Sequence, residues 1–486
     1  MTTTDHASAA GVRTGPGPHG FAIPLICVAQ LMATLDVTIV NLALPAIQRD
    51  LGLSHSGLAW VIDAYTLAYA GLLLVGGRLG DVIGHRRTLM IGIAVFTLAS
   101  LLGGLADDDS IMLTARAAQG IGAALATPTT LSLITALTVP GPARARAMVA
   151  YGAMAGLGIT LGLVMGGVLT ETASWRWVLL VNVPIGVLVL VSASRVLPES
   201  RGVRRRVDVL GAAVATAGLT SIVYGVIRAG SEGWAERRSL AALTVGGLLL
   251  AAFVLVERRV VDPTLPLNLV RHRVRFGAYL VAGLLFACLY PSFFFLSRSL
   301  QDVQGLGPIE AGVRFLPIGV GVLVFAIVAR RLLQVSSPRP LVLAGTAAAA
   351  LAAVGLTKLT ADSSYAGLLL PCLVGLGAGV GTTFVANAAA AMTTVDESDV
   401  GVASGLLSTF QAVGGTIGVA VLAAVAASST RAKLAAVPPL STSDALVAGF
   451  IPGFAIAAAL AGLAFLVALA AGAGVAAAPG SSAPKP

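Results

Sequence analysis

Long apolar runs dominate the chain of 486 residues, and only short polar segments separate them. A helix needs roughly 20 apolar residues to cross the hydrocarbon core of a bilayer. We place fourteen such runs, with centres near residues 34, 67, 97, 123, 158, 187, 218, 248, 286, 320, 349, 377, 413 and 460. The runs are continuous and lack the apolar/polar alternation over about 10 residues that is typical of membrane β-barrels. They therefore predict a multi-span helical membrane protein.

Composition argues against every soluble class. Apolar residues make up 57% of the chain and charged residues only 11%, whereas soluble proteins carry about 25% charged residues. The polar surface that soluble domains of this size would need is missing. We therefore predict an all-α integral membrane protein. Residues 1–20 and 476–486 are polar and rich in small residues, and we expect both ends to be disordered.

The positions of Lys and Arg predict the orientation of the spans. If the N-terminus is inside the cell, the inner segments carry roughly twice as many basic residues as the outer ones, in agreement with the positive-inside rule. Both termini are then cytoplasmic, and the protein lies in the plasma membrane. This topology explains the net charge of +9, so we predict no nucleic-acid partner. One outer segment, with Arg228, Arg237 and Arg238, goes against the rule.

The most basic inner segments flank the seventh and eighth runs and divide the chain. We predict an N-terminal six-helix bundle over residues 21–198, a linker with an inserted helix pair over 199–257, and a C-terminal six-helix bundle over 258–475. A pair is an even number of spans, so the second bundle keeps the orientation of the first. Two parallel six-span repeats are an architecture of transporters, with the substrate between them.

Three ionisable residues lie at membrane depth in the first half: Asp36, Asp63 and Arg116. Such groups are costly in a bilayer and are functional candidates by default. They lie roughly 8 to 14 Å from the outer ends of their spans, at 1.5 Å per residue. This predicts one shared aqueous cavity in the outer half. The alternatives are an ion pair between Asp36 and Arg116 that locks the bundle, and an interfacial position for Asp63 beside Trp60 and Tyr65.

Regularly spaced glycines are the second signal. Gly158, Gly162 and Gly166 recur every four residues in the fifth run, and Gly167 follows directly. They predict a smooth helix face against which another backbone packs closely or slides. Static close packing is the simpler of the two interpretations.

The short segment between the second and third runs combines glycines with charges, at Gly77, Asp81, Gly84, Arg86 and Arg87. Orientation in the membrane explains the arginines but not the glycines or the aspartate. On the same predicted inner face, residues 396–399 contain three acidic side chains. We hypothesise that Arg86 and Arg87 meet this acidic cluster when the cytoplasmic side is closed.

Several motifs together resemble those of the fourteen-span drug:proton antiporters of the major facilitator superfamily, a branch with multidrug, antiseptic and antibiotic exporters. The resemblance extends over residues 21–470. It is carried by the first-span, second-span, loop 2–3 and fourth-span motifs, by the beginning of the sixth span and by parts of the second half, at residues 35–45, 60–65, 77–87, 116–124, 175–186, 301–317 and 401–418.

The resemblance implies the major facilitator fold and a role for each motif. Asp36 and Asp63 would contribute to proton coupling or to binding of a cationic substrate, and Arg116 would tune a nearby carboxylate. The loop 2–3 residues would form a cytoplasmic gate. Two departures stand out: Val82 and His85 replace basic residues of the loop signature, and the fifth-span antiporter motif around Gly166 lacks its usual Pro.

The leading functional prediction is a proton-coupled exporter of amphipathic or hydrophobic small molecules, such as antibiotics or cationic toxins, that works as a monomer by alternating access. No P-loop pattern is present, so we predict the proton gradient as the energy source and no cofactor or metal. A narrow-specificity metabolite exporter or a symporter on the same fold is the alternative. A non-transporting membrane sensor is more remote. An enzyme is not predicted, because the 5 His residues do not cluster.

Overall fold

The computed structural model describes residues 21–53, 55–139, 142–198, 209–257, 269, 271–393, 395, 400–435 and 441–472. Within these ranges the regular structure is helical and no strand occurs. A helix covers every predicted centre. Because no water is available in a bilayer, the helix satisfies all of its backbone hydrogen bonds within one segment. The long apolar runs therefore fold as helices.

The first half forms α1 (Ala22–Leu51), α2 (His55–Ile83), α3 (His85–Gly104), α4 (Asp109–Leu137), α5 (Pro142–Thr172) and α6 (Arg176–Leu180, continued by Asn182–Val196). The middle forms α7 (Val209–Glu232) and α8 (Arg237–Glu257). The second half forms α9 (Arg273–Arg298, continued by the π-helical turn Ser299–Val303), α10 (Pro308–Leu332), α11 (Pro338–Leu356), α12 (π-helical turn Tyr365–Leu369, continued by Leu370–Ala391), α13 (Val400–Leu434) and α14 (Thr442–Ala470).

By length and apolarity, 11 helices of the described ranges can cross a membrane, or up to 12 if α2 is one bent span. The two parts of α2, Trp60–Leu73 and Val75–Ile83, meet at 51°. In α7 the apolar stretch, Ala213–Ala229, is shorter than a full span. The prediction of a multi-span all-α membrane protein is therefore confirmed, while the exact number of fourteen spans stays a prediction.

Helices α9–α14 repeat the contacts of α1–α6 in the same order. In the first half α1 packs on α5, and both α2 and α3 pack on α4. In the second half α9 packs on α13, and both α10 and α11 pack on α12. Repetition of the same contacts in the same chain order is the pattern that parallel six-helix repeats produce.

Two helix pairs make most of the contact between the halves: α5 packs on α10, and α2 packs on α13. Helix α7 contacts both α2 and α13, and α8 packs against α7. The middle helices thus cover one of the two seams between the halves. At the other seam, between α5 and α10, Gly167 and Gly312 allow close approach of the two backbones.

The predicted loop between the second and third runs is a single residue. Helix α2 continues to Ile83 and α3 begins at His85, so that only Gly84 interrupts the helices. The φ of Gly84 is 98°, a conformation that glycine adopts without the steric cost that a side chain would add. The turn therefore needs one glycine, and the other residues of the segment are helical.

Candidate functional site

Asp36 and Arg116 form an ion pair inside the first half. Arg116 Nη1 donates to Asp36 Oδ2 at 2.7 Å, and the two side chains are 2% and 0% exposed. Gln119 Nε2 and Asn182 Nδ2 donate to Asp36 Oδ1 at 3.1 and 2.9 Å. The carboxylate thus accepts three hydrogen bonds, one of them from a cation.

The guanidinium of Arg116 is equally well satisfied. Its Nε donates to the carbonyl of Val61 at 2.9 Å, and its Nη1 also donates to Gln119 Oε1 at 2.8 Å. Its Cζ lies 4.5 Å from the centre of the Tyr65 ring. Gln119 in turn donates to Ser100 Oγ at 2.7 Å. Buried charges persist in proteins when they are paired and hydrogen-bonded in this way.

This network connects α1, α2, α3, α4 and α6, because each of these helices contributes at least one group. The structure brings Asp36 and Arg116 together but does not bring Asp63 to them. The single aqueous cavity expected for all three residues is therefore not found in the described ranges. Asp36 and Arg116 instead form the ion pair that the sequence analysis gave as the alternative.

Asp63 lies instead beside a cavity of about 30 Å³ between the two halves, which has room for about two water molecules. Helices α1 and α2 contribute polar groups of Thr38, Asn41 and Thr66, and α9 contributes Tyr290, Phe293 and Phe294. The Asp63 side chain is 4% exposed. Within the part of the chain that the structure describes, its carboxylate has no hydrogen-bond or ion-pair partner.

The two walls of this cavity differ in chemistry. The α1–α2 wall carries the carboxylate of Asp63, whereas the α9 wall is aromatic and α13 adds the hydroxyl of Thr416. Tyr290 also packs edge-on against Phe286, with ring centres 5.3 Å apart. An unpaired carboxylate facing aromatic rings suits an amphipathic ligand, and one with a positive charge best.

The glycines of α5 serve two different neighbours. Gly158, Gly162 and Gly166 face α1: a Cβ added at Gly158 would lie 2.8 Å from Thr34 Cβ, and one at Gly166 would lie 2.5 Å from the Ile39 carbonyl. This is close packing within one half; a face that slides stays a prediction. A Cβ on Gly162 would overlap Thr38 Oγ1, and one on Gly167 would overlap the carbonyl oxygen of Pro308 in the other half.

The α5–α10 seam contains further residues that the sequence did not reveal. A Cβ on Gly312 would lie 2.8 Å from the Leu163 carbonyl. Glu171 Oε2 accepts a hydrogen bond at 3.0 Å from the backbone N–H of Ile309, in the first turn of α10. A carboxylate at a helix N-terminus is favourable, because free N–H groups and the helix dipole both attract negative charge. Glu171 therefore ties the end of α5 to the start of α10.

The predicted gate residues lie at the α2–α3 junction. Asp81 is 3.6 Å from Arg78 Nη1 and 3.7 Å from His85 Nε2. Arg86 Nη2 donates to the carbonyl of Ser194, near the end of α6, at 2.5 Å. Arg87 is exposed. The acidic cluster at 396–399 lies outside the described residues, so the contact hypothesised for it stays a prediction.

Close helix approach near this junction involves different glycines from the predicted ones. A Cβ on Gly77 would lie 3.8 Å from Pro128 Cβ, which is an ordinary contact. A Cβ on Gly76, by contrast, would overlap the carbonyl oxygen of Ala124. Gly76 and not Gly77 therefore lets α2 approach α4. The sequence alone did not distinguish between these two adjacent glycines.

Other polar groups of the site had a recognisable signal. Gln119 and Asn182 are amides within apolar runs, where an uncharged polar group also needs partners.

The Trp175–Arg176 pair holds the end of α1: Trp175 Nε1 donates to Asp50 Oδ2 at 2.9 Å, and Arg176 Nη1 donates to the same oxygen at 2.5 Å. Among the residues described, no group of three or more His, Cys, Asp or Glu is arranged to hold a metal ion.

Comparison with known proteins agrees with this architecture. A family model for the Major Facilitator Superfamily matches residues 26–419. The chain is similar to the puromycin resistance protein pur8 of Streptomyces alboniger, with 43% identity over 452 residues, 91% of this chain and 89% of that protein. It is also similar to the cephamycin export protein CmcT of Amycolatopsis lactamdurans, with 41% identity over 88% of this chain and 90% of that protein.

Among solved structures, the human organic anion transporter MFSD10 (TETRAN) has a similar fold. Its TM-score is 0.62 at 16% sequence identity, over 93% of this chain and 100% of that one. At this identity the likeness concerns the fold alone. The family match covers most of the chain, and the repeated six-helix contacts and the cavity between the halves agree with it. The chain belongs to the Major Facilitator Superfamily.

Proposed function

We propose that this protein exports small amphipathic molecules across the cell membrane in exchange for protons. The names of two similar proteins, a puromycin resistance protein and a cephamycin export protein, support export. In our proposal α1–α6 and α9–α14 rock against each other, so that the cavity beside Asp63 faces each side of the membrane in turn.

The unpartnered carboxylate of Asp63 is the observation that carries the transport site. A buried carboxylate without a cation is costly in its charged form. It becomes stable when it holds a proton or when a positively charged ligand lies beside it. Alternation between these two states is the chemistry that proton:substrate antiport needs. The aromatic residues opposite, Tyr290 and Phe294, would contact the apolar part of the ligand.

The Asp36–Arg116 network has a different role in this proposal. Because it joins helices from across the first half, we assign to it the rigidity that lets α1–α6 move as one body. Arg116 holds the Asp36 carboxyl group in a buried ion pair, so we assign proton exchange to Asp63. The gate role of Gly77, Asp81, Gly84, Arg86 and Arg87 belongs to the same proposal, with the Arg86–Ser194 contact as its anchor to α6.

The organisation of the chain follows. We propose six-helix bundles over 21–198 and 258–475, an inserted pair within 199–257, fourteen spans, both termini cytoplasmic, and a monomer as the working unit. The repeated contacts of the two six-helix sets support the bundle boundaries. The excess of basic residues on the predicted inner segments supports the orientation.

Efflux measurements in energised cells test this function. Wild type, Asp63→Asn and the matched control Asp107→Asn are compared with ethidium and with puromycin, each with and without a protonophore. Asp107 is exposed in the short α3–α4 connection. We expect protonophore-sensitive efflux in wild type and Asp107→Asn and its loss in Asp63→Asn. Unimpaired efflux in a well-expressed Asp63→Asn would exclude Asp63 as the transport carboxylate.

A narrow-specificity exporter is the second candidate, because each of the two relatives is named for a single antibiotic. It shares the fold, the cavity and the proton coupling, and differs in accepting one compound. Efflux of one antibiotic without efflux of ethidium would favour it. Efflux of chemically unrelated compounds would favour broad specificity.

A further inference from the structure

The turn that joins α7 to α8 carries charged residues that the proposed transport mechanism does not use. Helix α7 ends at Glu232 and α8 begins at Arg237. In the proposed topology this turn lies on the outer side, where basic residues are usually scarce. Its arginines, Arg228, Arg237 and Arg238, are the ones that go against the positive-inside rule. Their presence therefore needs an explanation other than orientation in the membrane.

The first of these arginines is neutralised within the turn. Arg228 Nη2 lies 2.5 Å from Glu232 Oε2, and Arg228 Nε lies 3.6 Å from Glu236 Oε2. The same oxygen of Glu236 accepts a hydrogen bond from the backbone N–H of Ser239 at 2.8 Å, and so caps the first turn of α8. Both acidic side chains of the turn are thus engaged by groups of the turn itself.

The other two arginines have different surroundings. Arg237 and Arg238 are both exposed, and within the described residues neither guanidinium has an ion-pair or hydrogen-bond partner. Trp234, in the same turn, is 49% exposed. We call Trp234, Arg237 and Arg238 the outer patch. Tryptophan is enriched where a membrane meets water, and the guanidinium group matches the geometry of a phosphate.

The length of α8 places the outer patch at the membrane surface. The helix has 21 residues and is therefore about 31 Å long at 1.5 Å per residue, which matches a hydrocarbon core of about 30 Å. Its first residue, Arg237, then lies at the level of the lipid headgroups. Leu248 and Leu255 follow Arg237 by roughly three and five helical turns, so they lie on the same side of α8. They are 65% and 58% exposed, and this side of α8 faces acyl chains.

We propose that the outer patch binds the phosphate of an anionic phospholipid in the outer leaflet. The guanidinium groups of Arg237 and Arg238 donate to the phosphate oxygens, and the acyl chains lie along Leu248 and Leu255. A zwitterionic lipid binds less tightly, because its own cation is repelled by the two arginines. This inference goes beyond the proposed export and uses only the proposed spans and their orientation.

The bound lipid has a structural consequence for the seam beside α7. The outer part of α7 packs on Trp60 of α2 and on Ile417 of α13, and the rings of Trp60 and Tyr224 lie 6.3 Å apart. Trp60 is one helical turn before Asp63, and Ile417 directly follows Thr416 of the Asp63 cavity. A lipid that holds the outer turn at the membrane surface keeps α7 against this seam. A ligand that binds the folded protein also stabilises it.

Native mass spectrometry of the full chain in detergent tests the site. The protein is titrated with phosphatidylglycerol or with phosphatidylcholine of the same acyl chains, and bound lipids are counted. We expect the wild type to bind phosphatidylglycerol more tightly. Arg237→Gln/Arg238→Gln should weaken this binding about tenfold or more, because each arginine near an anionic headgroup contributes to affinity. Equal affinity of the wild type for the two lipids, or equal affinity of wild type and variant for phosphatidylglycerol, overturns the proposal.

Arg431→Gln/Lys433→Gln is the matched control. It also removes two exposed cations from the proposed outer side, but these lie in the last turn of α13, where the helix dipole disfavours an anion. This variant should bind phosphatidylglycerol as the wild type does. An equal loss in both variants would reveal a general effect of net charge and overturn the site. Displacement of the lipid by an equal concentration of inorganic phosphate would also overturn it, since the site would then bind a free anion.

Thermal unfolding provides a second readout. Without added lipid the three proteins should unfold at the same temperature, because the substituted side chains are exposed. Phosphatidylglycerol should raise the unfolding temperature of the wild type and of Arg431→Gln/Lys433→Gln, but not of Arg237→Gln/Arg238→Gln. An equal rise in all three proteins overturns the stabilising role of the outer patch. Neither measurement needs transport, so a failure of the proposed export leaves the test of the lipid site intact.

Discussion

Arg116 Nη1 lies 2.7 Å from Asp36 Oδ2 in a fully enclosed ion pair, while Asp63 on the neighbouring helix α2 faces a cavity without any such cation. Two carboxylates at similar predicted depth therefore have opposite surroundings. The carboxyl group of Asp36 is held in a satisfied hydrogen-bond network. Asp63 can change its charge state with less disruption, because no described side chain depends on it.

Because of the ion pair, we expect a single substitution to lower the stability of the protein more than the double substitution does. Arg116→Leu leaves Asp36 buried without a cation, and breaking a buried pair in this way costs about 3–5 kcal/mol. The double variant Asp36→Leu/Arg116→Leu removes both charges, so it should unfold at a higher temperature than Arg116→Leu alone. Thermal unfolding of the purified proteins in detergent measures this. A double variant less stable than either single variant would contradict the ion-pair role.

Asp63→Asn should separate stability from transport. The substitution keeps the shape of the side chain and removes a buried charge that has no partner, so the unfolding temperature should be unchanged or higher. Efflux that depends on the proton gradient should nevertheless be lost. The same unfolding assay and a protonophore-sensitive efflux assay provide the two readouts. A large drop in stability would instead indicate that Asp63 has a structural partner.

The α5–α1 contact predicts a steric effect at Gly166. Gly166→Ala places a Cβ 2.5 Å from the carbonyl oxygen of Ile39, and overpacking of this kind costs about 1–3 kcal/mol. Gly462→Ala on α14 is the control, because no atom lies within 4 Å of the added Cβ. We expect a lower unfolding temperature for the first variant and no decrease for the second. Equal stability of both would show that α5 and α1 can move apart freely.

Removal of the Glu171 carboxylate should change the balance between conformations in which α5 and α10 are in contact and conformations in which they are apart. Glu171→Ala removes the acceptor for the Ile309 N–H and should favour separation of α5 from α10, whereas Glu171→Gln keeps an acceptor oxygen and should behave like the wild type. Distances between spin labels on the ends of these two helices measure the populations. A distance distribution unchanged in Glu171→Ala would mean that the glycine contacts alone close this seam.

Several elements followed from the sequence with little ambiguity. Each run of about 20 apolar residues predicted a helix, and the structure has a helix over every predicted centre. In lipid a segment of this length satisfies its backbone hydrogen bonds by forming a helix. Each family motif lies within one short segment and could therefore be recognised from the sequence. The charged residues Asp36, Asp63 and Arg116 stood out because ionisable groups are rare at that depth.

The sequence did not show which of these residues contact one another, because each contact joins distant parts of the chain. Depth along a helix can be counted from the sequence, but the direction in which a side chain points around the helix axis depends on the neighbouring helices. Asp36 and Asp63 therefore shared one leading prediction, with the Asp36–Arg116 ion pair as an alternative. In the structure Asp36 faces Arg116, and Asp63 faces the seam between the halves.

The sequence by itself determined the class of protein, the positions of the helices and the family, since these depend on local apolarity and on motifs within single segments. Tertiary structure decided the pairing of Asp36 with Arg116, the isolation of Asp63, and the division of the α5 glycines between α1 and α10. The physical reason is the same in each case: the rotation and packing of helices around one another set the partners of a buried group.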